Sequence, residues 1–539
     1  MDPHSGFNSL TKTFHSLRPP LNLPQEDTPL SVTEYAFSLR ANSPWPDSVA
    51  LINPVTAQHI SYSDFVRKTN HLAAYLQKVT KLSKNDVAIV LSTNSIQVPI
   101  LYFSLLSLGV IVSPANPVST ESEISRLIQL SKPVIAFATS STASKLPELK
   151  HKAILIDSPE FESIMMSSKY EIIDHVTVRQ TDLAAILYSS GTTGKVKGVM
   201  LTHRNFTAQV AIIYSFRQQR ESPAVMLYTM PYFHILGFVY CLRSVALSEA
   251  VVVMDRFHMT KMLKAVEECR VTHVVLTPPV VVAMSKGGGL MDGYDLNSLE
   301  GALWGSAPLG KDPIAAFTTR FPKVELVQGY GLTESTASIS RTIGPEECKL
   351  WGSAGKISGG IEAKIVDPET GEALPPRREG EIWIRGPTVM KGYIGDPGAT
   401  SETLLKDGWM RTGDLCYIDE AGFLFVVDRL KELIKYKGYQ VAPVELEQLL
   451  LSHPDIADAA VIPYPDEESG QVPMAFVVRQ PQSSLNQAQI MDFVIKRVAP
   501  YKKIRRVAFV NSIPKNPSGK ILRKELRKVA VPTGSSSRL

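Results

Sequence analysis

From residue 87 onward the chain alternates short apolar runs with longer stretches of helical periodicity, and this alternation restricts the fold more than any other feature. Residues 87–91 read as a strand, 96–108 as a helix and 110–112 as the next strand. The rhythm returns at 153–156, at 250–254, and at 272–276 after a helical 259–269. Strands that alternate with helices pair in parallel, because each crossover helix carries the chain back to the same end of the sheet. The predicted fold class is therefore α/β.

After about residue 355 the texture changes. Residues 363–366, 381–385 and 423–427 look like short strands separated by Pro/Gly turns, which predicts a small β-barrel or β-layer. Beyond Leu430 a third texture begins. Pro443, Glu445 and Glu447 suit the first turn of a helix through Leu451, and 459–462 and 474–478 are strand-like. A domain boundary is placed there, giving a large domain over 1–430 and a small α+β domain over 431–539. A chain of 539 residues exceeds what one core supports, which agrees with the division.

Composition excludes some classes of function. Net charge is only +5, and no concentrated basic face is interleaved with stacking aromatics, so no nucleic-acid partner is expected. Between Lys496 and Lys528 there are twelve Lys/Arg and one acidic residue, Glu525. Such a run reads either as a solvated face or as a surface that attracts phosphorylated small molecules. Cys241, Cys269, Cys348 and Cys416 are widely spaced and form no CxxC pair, which fits neither a zinc site nor a disulfide framework. The first residues lack the pattern of a secretory signal. The longest apolar stretch, 96–112, is short for a membrane span and contains Gln97, Pro99 and Gly109, so it is read as a buried helix and strand with no transmembrane segment.

The most specific signal is Tyr188-Ser189-Ser190-Gly191-Thr192-Thr193-Gly194-Lys195-Val196-Lys197-Gly198, which follows the apolar run 183–187. Its glycines permit tight turning, and its hydroxyls, amides and lysines suit an anion such as phosphate. It is not a Walker A loop, because no Gly-Lys-Ser/Thr opens a following helix.

This loop resembles the phosphate loop of the adenylate-forming superfamily of acyl-CoA synthetases, luciferases and peptide-synthetase adenylation domains. The resemblance runs at intervals from about residue 45 to 528. It implies a large N-terminal domain of two α/β subdomains plus the small β unit, followed by a mobile C-terminal domain hinged at Lys431. It implies ATP and Mg2+ as cofactors and CoA as co-substrate. The ATP site would be Ser189, Ser190, Gly191, Thr192, Thr193, Gly194 and Lys197, with Gln328, Gly329, Tyr330 and Thr333 from Gln328-Gly329-Tyr330-Gly331-Leu332-Thr333-Glu334. Tyr330 would pack on adenine, Thr333 would contact phosphate, and Glu334 would hold the metal. Asp414 would accept the ribose hydroxyls, with Arg429 beside it.

The small domain carries two further sets in this family. Lys520, in Pro517-Ser518-Gly519-Lys520, would meet the carboxylate and α-phosphate during adenylation. Lys435 and Gln440 would serve after a rotation, for thioester formation, with Lys437 and Gly438 on CoA. The acid pocket would involve His234, Leu236, Gly305, Ser306, Gly329 and Gln440.

The nearest resemblance is to plant 4-coumarate–CoA ligases and the peroxisomal ligases similar to them. Leu236 stands where those enzymes often have tyrosine, and Ser335-Thr336-Ala337 replaces their usual Ala-Gly-Pro. Lys195-Val196 also departs from the family loop, which usually has a small or apolar residue and then proline. The expected substrate is an aromatic acid of the cinnamate, coumarate or benzoate type. Loss of a phenolic partner favours the less polar of these, or a fatty or oxylipin-type acid. Ser537-Arg538-Leu539 is close to the Ser-Lys-Leu peroxisomal address and implies an import receptor as partner and the peroxisome as location. A luciferase-like oxidase would share every adenylation residue.

Overall fold

The computed structural model describes residues 1–170, 174–190, 196–286, 289, 291–305, 311–437, 439–516 and 519–530. Strand Val87–Leu91 is apolar throughout, as a strand covered on both faces must be, and it pairs in parallel with Ile111–Pro114 and Ile135–Ala138. Between the first two runs the helix Gln97–Ser107, buried at every position from Val98 to Leu106. The stretch 96–112 is thus core, and no described helix is long and apolar enough to cross a membrane.

This seven-stranded sheet continues through Leu183–Ser190 and Val196–Thr202 to Gly392–Tyr393 at its edge. A nine-stranded sheet holds His273–Leu276, Gly301–Trp304 and Glu325–Leu332 in parallel, then turns antiparallel at Ala337–Arg341. These two sheets are the two α/β layers.

The small β unit is an antiparallel layer of six strands. Glu362–Val366, Gly380–Arg385, Met410–Ile418 and Leu424–Arg429 are joined at the far side by the N-terminal pair Phe7–Asn8 and Thr13–His15. The four cysteines are free thiols.

Beyond residue 430 a five-stranded sheet centres on Ile456–Asp466 and Gly470–Arg479. Strand alternation sends Ala459, Val461, Ala475 and Val477 into one core and Ala460, Ile462, Met474 and Phe476 into another. Helices Pro443–Leu451 and Gln487–Ile495 cover the first face, through Leu446 and Ile490. Helix Arg523–Ala530 covers the second, through Leu526. Among the described residues, the buried members of the earlier cores end at Leu424, and those of the later ones begin at Ile434.

Candidate active site

A cavity of about 1190 Å³ opens where the two large sheets, the six-stranded layer and the C-terminal region meet. Its polar end is built on strand ends. Leu183–Ser190 and Val196–Thr202 form a hairpin that sets Ser189 opposite Lys197. The Ser189 Oγ donates to Glu334 Oε1 at 2.9 Å, and the Tyr393 hydroxyl donates to the same oxygen at 3.1 Å. The Lys197 ammonium lies 4.4 Å from the centre of the Tyr393 ring.

Glu334 sits in the short 3-10 turn Thr333–Ser335, which closes strand Glu325–Leu332. The residues that depart from the family pattern lock this turn. Leu332 N donates to Ser335 Oγ at 2.9 Å, and Thr336 Oγ1 donates to the Thr388 carbonyl at 2.6 Å. Gly331 is obligatory, because a Cβ there would lie 1.4 Å from the Ala337 carbonyl oxygen.

Asp414 is buried and receives the Tyr330 hydroxyl at 2.6 Å, with Arg429 Nε 3.5 Å from its other oxygen. Burial pushes the Asp414 carboxyl up, while Arg429 and the Tyr330 hydrogen bond oppose that shift. The pair fixes the Tyr330 ring and leaves a carboxylate facing the cavity.

The apolar end lies along helix Ile235–Leu247. His234 caps this helix, its Nδ1 accepting from Leu236 N at 3.3 Å. Burial holds the His234 imidazole down to about 4, so it is neutral near pH 7 with its proton on Nε2. Leu236, Gly305 and Gly329 line this end. A Cβ on Gly237 would meet the Pro231 carbonyl oxygen at 2.1 Å, so glycine there lets the capping turn close.

The C-terminal region reaches the same cavity through Lys520 and Leu522, and Lys431 lies at the rim. The Lys520 loop is held by Asn516, whose Oδ1 accepts from Lys520 N at 2.9 Å. Gly519, at φ +82, packs against Thr277 of the large body.

Of the residues singled out in the sequence, Ser189, Lys197, His234, Leu236, Gly305, Gly329 and Tyr330 line the cavity. Thr333, Glu334, Asp414, Arg429, Lys431 and Lys520 line it as well. Gly191, Thr192, Thr193, Gly194, Ser306, Gly438 and the tail 537–539 lie outside the described residues, as does the Ser190 side chain.

Four expectations part from this arrangement. Gln328 is not in the cavity wall; its backbone pairs with Thr342, whose Oγ1 accepts from Gln328 N at 3.0 Å. Lys435, Lys437 and Gln440 are exposed on the hairpin Ile434–Tyr436 and Tyr439–Val441, away from the cavity. Lys437 is paired with Glu468. The hairpin and the Lys520 loop lie on different parts of the small sheet, so only one of them meets the cavity here.

Five of the twelve Lys/Arg of the basic run form ion pairs with described acids. Lys496, Lys502, Lys515, Arg523 and Lys528 pair with Asp492, Glu445, Asp458, Glu447 and Glu525. Tyr393 and Arg341 are among the wall residues that escaped sequence reasoning. Tyr393 lies on an edge strand two residues long, and Arg341 ends a strand of otherwise small residues and Ile339. Nothing local marks either one.

The family of AMP-binding enzymes matches residues 39–394, and the C-terminal domain of AMP-binding enzymes matches 445–520. The chain belongs to the AMP-binding enzyme family and, within it, is an AMP-forming acyl-CoA ligase. It is 50% identical to the 4-coumarate--CoA ligase-like 9 of Arabidopsis thaliana, over 100% of this chain and 98% of that one. It is 45% identical to the peroxisomal OPC-8:0-CoA ligase 1 of the same plant, over 98% of each. The ATP-bound structure of MatB from Rhodopseudomonas palustris superposes with a TM-score of 0.84 at 25% identity, over 93% of this chain and 99% of that one.

Proposed function

We propose that the chain joins an aromatic acid of the cinnamate, coumarate or benzoate type to CoA in two steps within this cavity. In the first, a carboxylate oxygen of the acid attacks the α-phosphorus of ATP, the bond to pyrophosphate breaks, and an acyl-adenylate forms. In the second, the CoA thiolate attacks the acyl carbon and AMP leaves. The observation that supports this reading is a single cavity lined at once by Glu334, Asp414 and Lys520.

In this reading Tyr330 packs on adenine while Asp414 accepts the ribose hydroxyls. Lys197, Thr333 and the loop 191–195 hold phosphate, and Lys520 meets the carboxylate and α-phosphate. Neutral His234 shapes the acid pocket without adding a competing charge.

The donor set fits Mg2+. Among the described residues no group of three or more His, Cys, Asp or Glu could hold a metal alone, whereas Mg2+ takes one carboxylate together with phosphate oxygens and water. Among the described residues both side-chain hydrogen bonds at Glu334 fall on Oε1, so its carboxylate would keep an oxygen for the ion. Once bound, the ion would neutralise phosphate charge.

The second step requires the domain after Lys431 to rotate and bring Lys435 and Gln440 to the cavity, with Lys437 and Gly438 toward CoA. Boundaries at 1–430 and 431–539 are part of this proposal. Its import signal is Ser537-Arg538-Leu539, which a receptor would deliver to the peroxisome. Removing those three residues from a fluorescent fusion should leave it in the cytosol; continued peroxisomal import would sink the assignment.

A second reading, a fatty or oxylipin-type acid, is favoured by Leu236 in the wall and by the relative named an OPC-8:0-CoA ligase. Acid-dependent AMP release with ATP, Mg2+ and CoA decides between the two. Cinnamate, coumarate, benzoate, octanoate, palmitate and an oxylipin acid form the panel. Release and thioester formation only with the ring acids support the first reading, and only with the aliphatic ones the second. Release without acyl-CoA would point to an oxidase or another acceptor.

A further inference from the structure

Arg341 is a charged group in the cavity wall, and among the described residues it has no acidic partner. It ends strand Ala337–Arg341 and lies in register with Gly329 on the neighbouring strand. A Cβ on Gly329 would stand 3.7 Å from the Arg341 Cβ, so glycine there keeps the approach to this side chain open. Arg341 lines the cavity, as do Val239, Tyr240 and Val327.

Its surroundings cannot satisfy it. Among the described residues, Arg341 Nε is buried without a hydrogen-bond partner. The Phe216 ring centre, 5.8 Å from Cζ, offers only a weak contact. The two arginines whose charges act on it are themselves paired, Arg243 with Glu249 and Arg18 with Glu347. Arg18 also donates to the Arg341 carbonyl at 3.0 Å, so a second cation stands behind the strand. Burial, and then the charge of Arg243, pull the Arg341 guanidinium below its ordinary value, although it stays protonated near neutrality. A half-buried guanidinium whose inner Nε is left unpaired is costly, so a wall that carries one is suited to a ligand that supplies an acceptor.

Position along the pocket tells which part of the ligand this is. His234 caps the helix on which Tyr240 lies six residues further on, roughly 9 Å of helix rise. Tyr240 belongs to the electrostatic surroundings of Arg341, and Lys520, Glu334 and Asp414 belong to the polar end. With the carboxyl being activated at the polar end, Arg341 would address the other end of the acid.

We propose that Arg341 is a specificity-determining residue that holds an acceptor oxygen, an oxo group or a second carboxylate, at the far end of the acid substrate. The proposal rests on the ligase reading and adds to it a class of acid. It also changes an expectation from the sequence, since a wall with Leu236 but also Arg341 is not uniformly apolar.

Matched acids test it on the full chain, by AMP release under ATP, Mg2+ and CoA. The aliphatic set is octanoate, the oxo-octanoate with its ketone on the penultimate carbon, and octanedioate. The aromatic set is cinnamate and its para-acetyl and para-carboxy derivatives. Wild type should prefer an acceptor-bearing acid over its plain counterpart by at least about tenfold in kcat/KM, the size of one charge-assisted hydrogen bond. Whether the oxo acid or the diacid gains more identifies the acceptor. Arg341→Met should abolish or invert the preference, and Arg341→Lys should keep part of it. If Arg341→Met does not fold, the wild-type ratio and its reduction in Arg341→Lys carry the test. Equal kcat/KM across each set, or a preference that survives both substitutions, overturns the proposal while the ligase reading stands. AMP release from no acid at all overturns both.

Discussion

Lys520 and Lys435 belong to the same small region of the chain and live in different surroundings. Lys520 lines the cavity, on a loop packed against Thr277 of the large body. Lys435 is exposed on a hairpin, with its backbone N–H donating to Gln471 at 2.8 Å. One position of the region therefore gives the cavity one lysine and withholds the other. In the scheme proposed above, this arrangement fits only one of the two steps, and the other would need the small sheet to move as a body. Its own two cores make such movement possible without unfolding.

The largest effect that could break this contrast is expected at Lys520. Lys520→Ala should slow pyrophosphate release about a thousandfold, the scale of losing a charge aimed at the transition state. Conversion of supplied acyl-adenylate to acyl-CoA should stay near the wild-type rate. Equal losses in both half-reactions would remove the division of labour.

Next comes Lys435→Ala, which should cut thioester formation from supplied acyl-adenylate about a hundredfold while adenylation changes little. A larger loss in adenylation than in thioester formation would assign the exposed hairpin to the wrong step.

A smaller effect should come from the cavity side. Tyr393→Phe removes one of the two donors on Glu334 Oε1, and should raise the Mg2+ concentration needed for half-maximal AMP release about tenfold. An unchanged magnesium titration would separate Glu334 from the metal.

A last contrast, in stability and not in rate, distinguishes the two regions by acid. Burial holds His203, His234 and His273, all in the large body, down to about 4. The unfolded chain takes up protons on these rings near pH 6.5 and the folded one does not. Stability is therefore highest above that pH and is lost as pH falls toward 4, by about 1.4 kcal/mol per pH unit for each ring. All five tryptophans precede residue 430, so their fluorescence reports the large body alone. The midpoint of urea unfolding seen by tryptophan should drop between pH 6.5 and 4; a flat midpoint would mean that these imidazoles are not held neutral.

By itself the sequence determined the elements and the order of the chemical segments. Period-two and period-three-to-four patterns are local, so 87–91, 259–269, 363–366 and 474–478 were legible as strands and helix without knowing what they touch. The Gly/Ser/Thr/Lys loop was legible from its composition, whereas Glu334, Asp414 and Lys520 were singled out only through the resemblance of their segments to the adenylate-forming superfamily. Only the tertiary structure decided the rest. It recruited Phe7–Asn8 and Thr13–His15 to a sheet whose other strands begin at Glu362, because strand pairing across such a distance leaves no local trace. It held His234 neutral by burial, brought Tyr393 onto Glu334, and left Gln328 and the Lys435 hairpin out of the cavity. It also left Arg341 Nε without a partner among the described residues in the cavity wall, because whether a charge is paired depends on which surfaces meet, and that is a property of the packed molecule.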